Sequence, residues 1–205
     1  MERFRFGTKE TIATLCALAL FVLAEWLEII LISRGFVPTG FYEWVQPRVL
    51  VVAAAAVFFG PVAGVFCGVG GDLLINVIFE EAISYPEVMT LGIYGLFMGM
   101  YYGKMHYHPA KFGPREWVDF NAVQIFAGIF CSMFFVPMTK YFIENASIYD
   151  GVRIGGKSAL GNSIMIGLLL PIAMAIVGAV ARRSEAKRRK APDLRGDARY
   201  DKIPG

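Results

Sequence analysis

The chain has 205 residues, of which 56% are apolar and only 18% are charged. A soluble domain carries about 45–50% apolar and about 25% charged residues. These values, with a mean hydropathy of +0.53, exclude an ordinary soluble protein and indicate a membrane protein. The net charge is only +3, and the three cysteines fall inside apolar runs, which argues against a disulfide framework.

The first apolar run predicts a membrane-spanning helix over residues 11–32. It is longer than the apolar part of a signal peptide, which has about 7–15 residues. It also contains two acidic residues, Glu25 and Glu28. We therefore expect a span that is retained rather than cleaved.

The apolar stretch over residues 47–79 is too long for one span, because about 20 residues cross a bilayer. Gly60 and Pro61 lie in its middle. Proline has no backbone N–H to donate, and a Gly-Pro pair is typical of a turn. The pattern therefore predicts a short second span over 47–59 and a third over 62–79.

Three further spans are predicted over residues 88–104, 120–143 and 158–181. The fold class is thus an all-α membrane protein, a compact bundle of six transmembrane helices over residues 1–181. The remaining residues, 182–205, are basic and polar and are predicted to form a disordered tail.

The lysines and arginines are distributed unevenly about these spans. Six spans place both termini on one side, and that side holds 15 of the 20 basic residues, against five on the other. Loops rich in Lys and Arg stay in the cytoplasm. We therefore predict that both termini are cytoplasmic.

Small residues recur at intervals of four. Gly60, Gly64 and Gly68 do so on the third span, and the fourth span has a similar series over residues 95–103. This spacing lets helices approach closely in lipid, so it predicts tight packing within the bundle, with a sliding interface as the alternative. Ala13 and Ala17 form a further pair on the first span.

Polar side chains within the spans fall mostly in the predicted outer half. An ionisable group at bilayer depth costs about 2.5–3.5 kcal/mol, so it usually faces a cavity or a partner. Structural ion pairs are one explanation, and an outward-facing binding cavity is the one we favour. The predicted substrate-binding residues are Asp72, Asn76, Asn162, Tyr94, Arg48, Glu28, Trp44 and Lys157. Asp72 and Asn76 share one helix face, and Arg48 is the alternative, resident partner for Asp72.

Residues 151–158 fit the nucleotide-binding pattern G-x-x-x-x-G-K-S. A true P-loop follows a buried strand in a soluble α/β sheet, whereas this segment precedes a membrane span on the predicted outer side. We therefore interpret the match as coincidental. The glycine amides at the start of span six, beside Lys157, could still hold an anionic group of a ligand. No catalytic residue, metal site or cofactor is predicted.

Two segments carry a family resemblance. The second and third spans contain Gly60-Pro61-Val-Ala-Gly64 and, further on, Gly71-Asp72, and the fourth contains Gly92-Ile-Tyr-Gly95-Leu-Phe-Met-Gly99. With six spans and cytoplasmic termini, the chain resembles the substrate-binding S component of energy-coupling factor (ECF) vitamin transporters, especially the riboflavin-type group.

The resemblance implies a non-enzymatic subunit of a prokaryotic cell membrane that binds a vitamin or related micronutrient from outside. Such subunits work with a transmembrane coupling subunit and two cytoplasmic ATPases. The family's coupling surface uses small residues on the first span, and Ala13 and Ala17 match that spacing. A riboflavin-like ligand is the first expectation, while thiamine precursors and pyridoxine stay open. The alternatives are a structural or assembly protein without a ligand, and a stand-alone membrane carrier or enzyme.

Overall fold

The structure, a computed structural model, describes residues 7–79, 83–105 and 109–190. Within these ranges the chain is helical and contains no strand, which confirms the all-α class. The helices are α1 (Thr8–Ser33), α2 (Pro47–Phe59), α3 (Pro61–Ile78), α4 (Tyr85–Met105), α5 (Pro114–Ile129), α6 (Val136–Glu144) and α7 (Ile148–Lys190). A π-helical segment, Phe130–Phe135, joins α5 to α6, and 3₁₀ turns form at Thr39–Glu43 and Pro109–Lys111.

Four helical runs in the described residues are long and apolar enough to cross a membrane. They are Thr11–Ser33, Pro61–Ile78, Pro114–Glu144 and Ile148–Ala186. The helix α2 has 13 residues, or about 20 Å of length, which is short for a hydrocarbon layer of about 30 Å. The described residues form six long helical runs, counting α5, the π-helical segment and α6 as one. Six crossings of the membrane and the side of the termini stay predictions.

The turn between α2 and α3 is the one that the sequence predicts. Gly60 ends α2 and precedes Pro61, the first residue of α3, with a φ of +95°. That backbone conformation is open to glycine and strained for residues with a Cβ. The two helices therefore form a tight hairpin, in which positions equally distant from Gly60 lie at similar heights.

The tight packing predicted within the bundle is present between α3 and α4. A Cβ at Gly95 would overlap the carbonyl oxygen of Gly64, and one at Gly99 would overlap the backbone of Pro61. The two helix backbones thus touch where these glycines lie. This contact brings α3 and α4 together along the wall that supports the site described below.

The helix α7 is longer at both ends than the predicted span over 158–181. It begins at Ile148, so the loop predicted around residues 151–158 is wrong. Two of the glycines there, Gly151 and Gly155, serve close packing instead, since a Cβ at Gly155 would overlap the carbonyl oxygen of Ser132 and one at Gly151 would press against Pro137. At the other end, α7 continues to Lys190, past the predicted domain boundary at 181. The domain division stays a prediction, and residues 191–205 and the basic Arg3 and Arg5 lie outside the described residues.

The buried core runs through the middle of the helices. Its fully buried side chains include Phe21, Met98, Phe120, Ile166 and Met174. Large apolar side chains on the outside, such as Leu15 and Leu168, are more than half exposed. An apolar exterior of this kind fits a protein whose surface meets lipid rather than water.

Candidate ligand-binding cavity

A cavity of about 130 Å³ lies among α2, α4, α7 and the run from α5 to α6. It is placed at the end of the bundle where α2, α4 and α7 begin, which is the predicted outer end. Its polar lining consists of Gln46, Arg48, Glu87, Thr90, Ser132, Lys140, Ser158, Asn162 and Ser163. Its apolar lining includes Val49, Leu91, Tyr94, Cys131 and Ile154. A hollow that combines apolar walls with convergent polar groups is typical of a small-molecule site.

Arg48 is the centre of an ion-pair network at this cavity. Its Nη1 lies 3.0 Å from Oδ1 of Asp72, its Nη2 3.6 Å from Oε2 of Glu87, and its Nε 3.7 Å from Oε2 of Glu25. Glu87 in turn accepts a hydrogen bond from Nζ of Lys140 at 3.0 Å. A buried guanidinium requires such partners because its desolvation is costly. The network therefore joins five helices through one arginine and one glutamate.

The members of this network have different positions relative to the cavity. Arg48, Glu87 and Lys140 line it, whereas Asp72 and Glu25 are buried and do not. Asp72 thus has the resident partner that was the alternative to a ligand contact. Asn76 and Glu28 are buried too, on α3 and α1, and are not among the lining residues.

The π-helical segment supplies part of the cavity wall. Cys131 and Ser132 belong to it, and both line the cavity. A π-helical turn changes which side chains of a helix face a neighbour, and such turns are frequent at functional sites. Here it separates α5 from α6 and lets Lys140, on α6, reach Glu87 on α4.

Residues 39–46, which we call the lid, are attached to α7 beside the cavity. The backbone N–H of Gln46 donates to Oδ1 of Asn162 at 2.8 Å. Lys157 pairs with Glu43, and this contact holds the pKa of the Glu43 carboxyl below its ordinary value of 4.5. The carbonyl of Trp44 lies against Gly161 so closely that no Cβ would fit there. Trp44 and Lys157 therefore hold the lid and are not cavity-lining side chains.

Three of the predicted site residues, Arg48, Tyr94 and Asn162, line the cavity. Glu87, Lys140 and Ser132 also line the cavity and are not among the predicted substrate-binding residues. Glu87 is an acidic residue next to a predicted span, but it lies one position before the predicted start of span four at Val88. It was therefore not counted among the polar side chains within the spans. Nothing in the sequence pattern marks Ser132, because its position depends on the π-helical turn.

The backbone of residues 151–158 does not form an anion site. These residues lie within α7, where the N–H of Gly151 donates to the carbonyl of Ser147 at 3.1 Å. Amides inside a helix are already bonded, and only its first turn has free N–H groups. The expectation that glycine amides here bind an anionic group is therefore wrong. No cluster of His, Cys, Asp or Glu among the described residues is arranged to hold a metal ion.

The two alanines predicted to contact a coupling subunit differ in exposure. Ala17 is buried in the protein's own core, and Ala13 is half-buried. They do not form an open stripe on α1. A contact with a partner through this part of α1 stays a prediction.

Residues 5–182 match the family described as ECF-type riboflavin transporter, S component. The chain belongs to that family. It is therefore a transporter component and not an enzyme. The match confirms the family resemblance that was stated above from the glycine-rich spans. Membership of the S-component family implies a small-molecule substrate and an association with the other ECF transporter subunits.

Similar bacterial proteins carry names that state no substrate. The chain is 26% identical over 136 residues to a UPF0397 protein of Lacticaseibacillus casei (strain BL23), covering 66% of this chain and 73% of the relative. It is 27% identical over 134 residues to a UPF0397 protein of Staphylococcus aureus (strain Newman), covering 65% and 73%. No solved structure matches the chain.

Proposed function

We propose that this S component binds a riboflavin-like vitamin from the outside and delivers it to partner subunits for ATP-driven uptake. The observation that carries the proposal is the cavity at the end of the bundle where α2, α4 and α7 begin. Its lining combines Tyr94 and aliphatic side chains with hydroxyl, amide and charged groups. A flat heteroaromatic ring with a hydroxylated chain needs both kinds of contact.

The chemistry of the lining supports specific roles. Tyr94 and Leu91 offer apolar surface for a ring. Ser132, Ser158 and Asn162 offer donors and acceptors suited to hydroxyl groups. Asp72 supports the cavity from behind through its pair with Arg48, which joins α3 to α2, and Asn76 and Glu28 are buried behind it. The lid, held on α7 through Lys157 and the Trp44 backbone, borders the cavity at Gln46.

The proposed topology has six crossings with both termini in the cytoplasm of a bacterial cell membrane. The support is the distribution of Lys and Arg, since 15 lie on the side of the termini and five on the other side. Basic loops stay in the cytoplasm. In this orientation the cavity lies near the outer surface. The proposed partners are a transmembrane coupling subunit and two cytoplasmic ATPases, as the family membership suggests. We expect Ala13, the more accessible alanine of its pair, to lie at the edge of the coupling contact.

The direct test is to identify what the purified protein binds. The chain, solubilised in detergent, is denatured and the released small molecules are identified by mass spectrometry. Riboflavin is then titrated with the ligand-free protein, and binding is followed by flavin fluorescence. We expect saturable binding that Ser132→Leu weakens at least about tenfold, since the larger side chain fills the cavity, whereas the exposed control Ser184→Leu leaves it unchanged.

Other outcomes contradict the proposal in different ways. No retained molecule and no binding of any vitamin tested would favour a structural or assembly protein. Flux into vesicles that contain this chain alone would favour a stand-alone carrier. Binding of another vitamin, weakened by Ser132→Leu, would retain the cavity and replace riboflavin as its ligand.

A further inference from the structure

The helix α7 carries a strongly basic extension beyond its apolar part. Six of the nine residues over 182–190 are basic and one, Glu185, is acidic. The extension is helical up to Lys190, so it is joined rigidly to the helix whose first turns line the cavity. The family match ends at residue 182, and family membership therefore does not account for this segment.

The start of the extension has a defined position at the end of the bundle. Arg182 donates from Nη1 to the carbonyl oxygen of Ala110 at 3.2 Å. One turn earlier, Gly178 lies directly against the carbonyl oxygen of Pro109. These contacts place the first basic residues beside the 3₁₀ turn Pro109–Lys111 and the beginning of α5.

The surrounding charges add to the basic character of this end. Residues 109–119 and 182–190 together hold eight basic and three acidic residues. Lys111 and Arg115 are exposed beside the extension. Of the acidic residues, Glu116 already accepts a hydrogen bond from the backbone N–H of Gly113 at 3.0 Å. The end of the bundle therefore has a clear excess of positive charge.

The depth of the extension matches the headgroup layer. Trp117, half-exposed in the first turn of α5, marks the interface that tryptophan favours. Nine helical residues extend about 13 Å. The headgroup layers add about 10–15 Å in total to a hydrocarbon core of about 30 Å. The first turn of the extension thus lies among headgroups, and its end lies within about one or two Debye lengths of them.

We propose that residues 182–190 bind the headgroups of anionic phospholipids. Guanidinium and ammonium groups donate charge-assisted hydrogen bonds to phosphate oxygens. Each Lys or Arg close to an anionic surface strengthens the association by roughly fivefold. Lipid is the favoured partner because α7 holds these residues at the surface where anionic headgroups are concentrated. The inference requires only that α7 crosses the membrane and does not depend on the ligand of the cavity.

The test uses the full chain with one fluorescent label beside the extension. Ser184→Cys is labelled in a background without Cys16, Cys67 and Cys131, and the protein is placed in vesicles of one part phosphatidylglycerol to two parts phosphatidylcholine. Headgroup-nitroxide forms of the two lipids are compared as quenchers. We expect the phosphatidylglycerol form to be favoured by at least about fivefold at low salt. This preference should fall towards equality at about 1 M salt, where the Debye length is about 3 Å.

Two matched pairs of substitutions test the assignment to the extension. Arg183→Gln with Lys187→Gln should lower the preference at least about fivefold. Arg34→Gln with Arg153→Gln removes the same charge at the opposite end and should leave it unchanged. An equal effect of both pairs, or no preference in the unsubstituted protein, would overturn the proposal. No preference would also be the result if the extension binds an acidic protein surface instead of lipid. Equal melting temperatures of the two variants show that neither has lost its fold.

Discussion

The guanidinium of Arg48 and the carboxylate of Asp72 lie 3.0 Å apart in the interior and join α2 to α3. Both residues stand 12 positions from Gly60, one on each side, so the hairpin at Gly60 brings them to the same height. This pair connects the hairpin to the cavity, because Arg48 lines the cavity and Asp72 supports it from behind. We therefore expect Arg48 to affect ligand binding and Asp72 to affect the stability of the fold.

Asp72→Asn is expected to destabilise the ligand-free protein by about 1–3 kcal/mol, since a charged, buried hydrogen bond is weakened. The affinity for the ligand should change little, because Asp72 does not line the cavity and Arg48 keeps its contact with Glu87, which does. A melting curve of the empty protein and calorimetry with the identified ligand measure the two quantities. Asp150→Asn is the matched control, since Asp150 pairs with Arg153 on the surface and such pairs contribute about 0–1 kcal/mol. Unchanged stability with a loss of affinity would show that Asp72 contacts the ligand.

Glu87→Gln is expected to weaken ligand binding by about tenfold or more, or about 1.4 kcal/mol. Glu87 contacts both Arg48 and Lys140 at the cavity, and the neutral amide would release Lys140 and remove one of the carboxylates that hold Arg48. Glu144→Gln is the control, because Glu144 is exposed and contacts Ser84 away from the lining. If the two variants bind ligand equally well, Glu87 does not organise the site.

Lys157→Met is expected to speed ligand release, because it removes the contact between α7 and Glu43 of the lid. The same contact predicts a pH dependence. Since Lys157 lowers the pKa of Glu43 below 4.5, the contact is fully present above that pH and is lost as the pH falls through the lower, folded-state value. Release measured by stopped flow should therefore accelerate on acidification below pH 4.5 in the unsubstituted protein. A similar acceleration in Lys157→Met would assign the effect to another group.

Lys157→Ala also separates the lid contact from the nucleotide-binding pattern. Because residues 151–158 are helical, the protein is expected not to bind ATP with or without this lysine. Equilibrium dialysis with labelled ATP measures this directly. Saturable binding that Lys157→Ala removes would contradict the helical assignment of the segment.

The sequence predicted those features that depend on local chemistry. The Gly60 turn follows from Pro61 and from glycine's backbone freedom, and the bounds of α2 follow from that turn. The spacing of four places Gly64, Gly68, Asp72 and Asn76 on one face of α3, and all four are buried. Each of these features involves residues within one helix or one hairpin.

Features that depend on packing between distant segments could not be predicted. Gly151 and Gly155 resemble turn glycines, yet they lie in α7 because Pro137 and Ser132 pack against them. The hairpin spacing accounts for Arg48 and Asp72, but the network also requires Glu25 and Glu87 to meet Arg48 from two other helices, and no spacing along the chain encodes that meeting. The π-helical turn likewise has no periodic signal.

Gly95→Ala is expected to destabilise the bundle by about 1–3 kcal/mol or more, since the added methyl group would overlap the backbone of α3 at Gly64. Gly156→Ala is the matched control on a helix. A Cβ there would have its closest contact with Cε of Met133 at 3.8 Å, so this change should be neutral or slightly stabilising through helix propensity. Thermal unfolding in detergent compares the two. Equal melting temperatures would mean that α3 and α4 are not held in contact at these glycines.

The orientation of the bundle is tested with single cysteines at Ser147 and Ser184, in a background without Cys16, Cys67 and Cys131. Both serines are exposed and lie at opposite ends of the protein, one just before α7 and one on its basic extension. An impermeant thiol reagent applied to intact cells should label position 147 and not position 184, because the basic end is expected to stay in the cytoplasm. Both positions should react after the cells are opened, which controls for differences in reactivity. Labelling of position 184 alone in intact cells would place the cavity on the cytoplasmic side, where it could not receive a vitamin from outside.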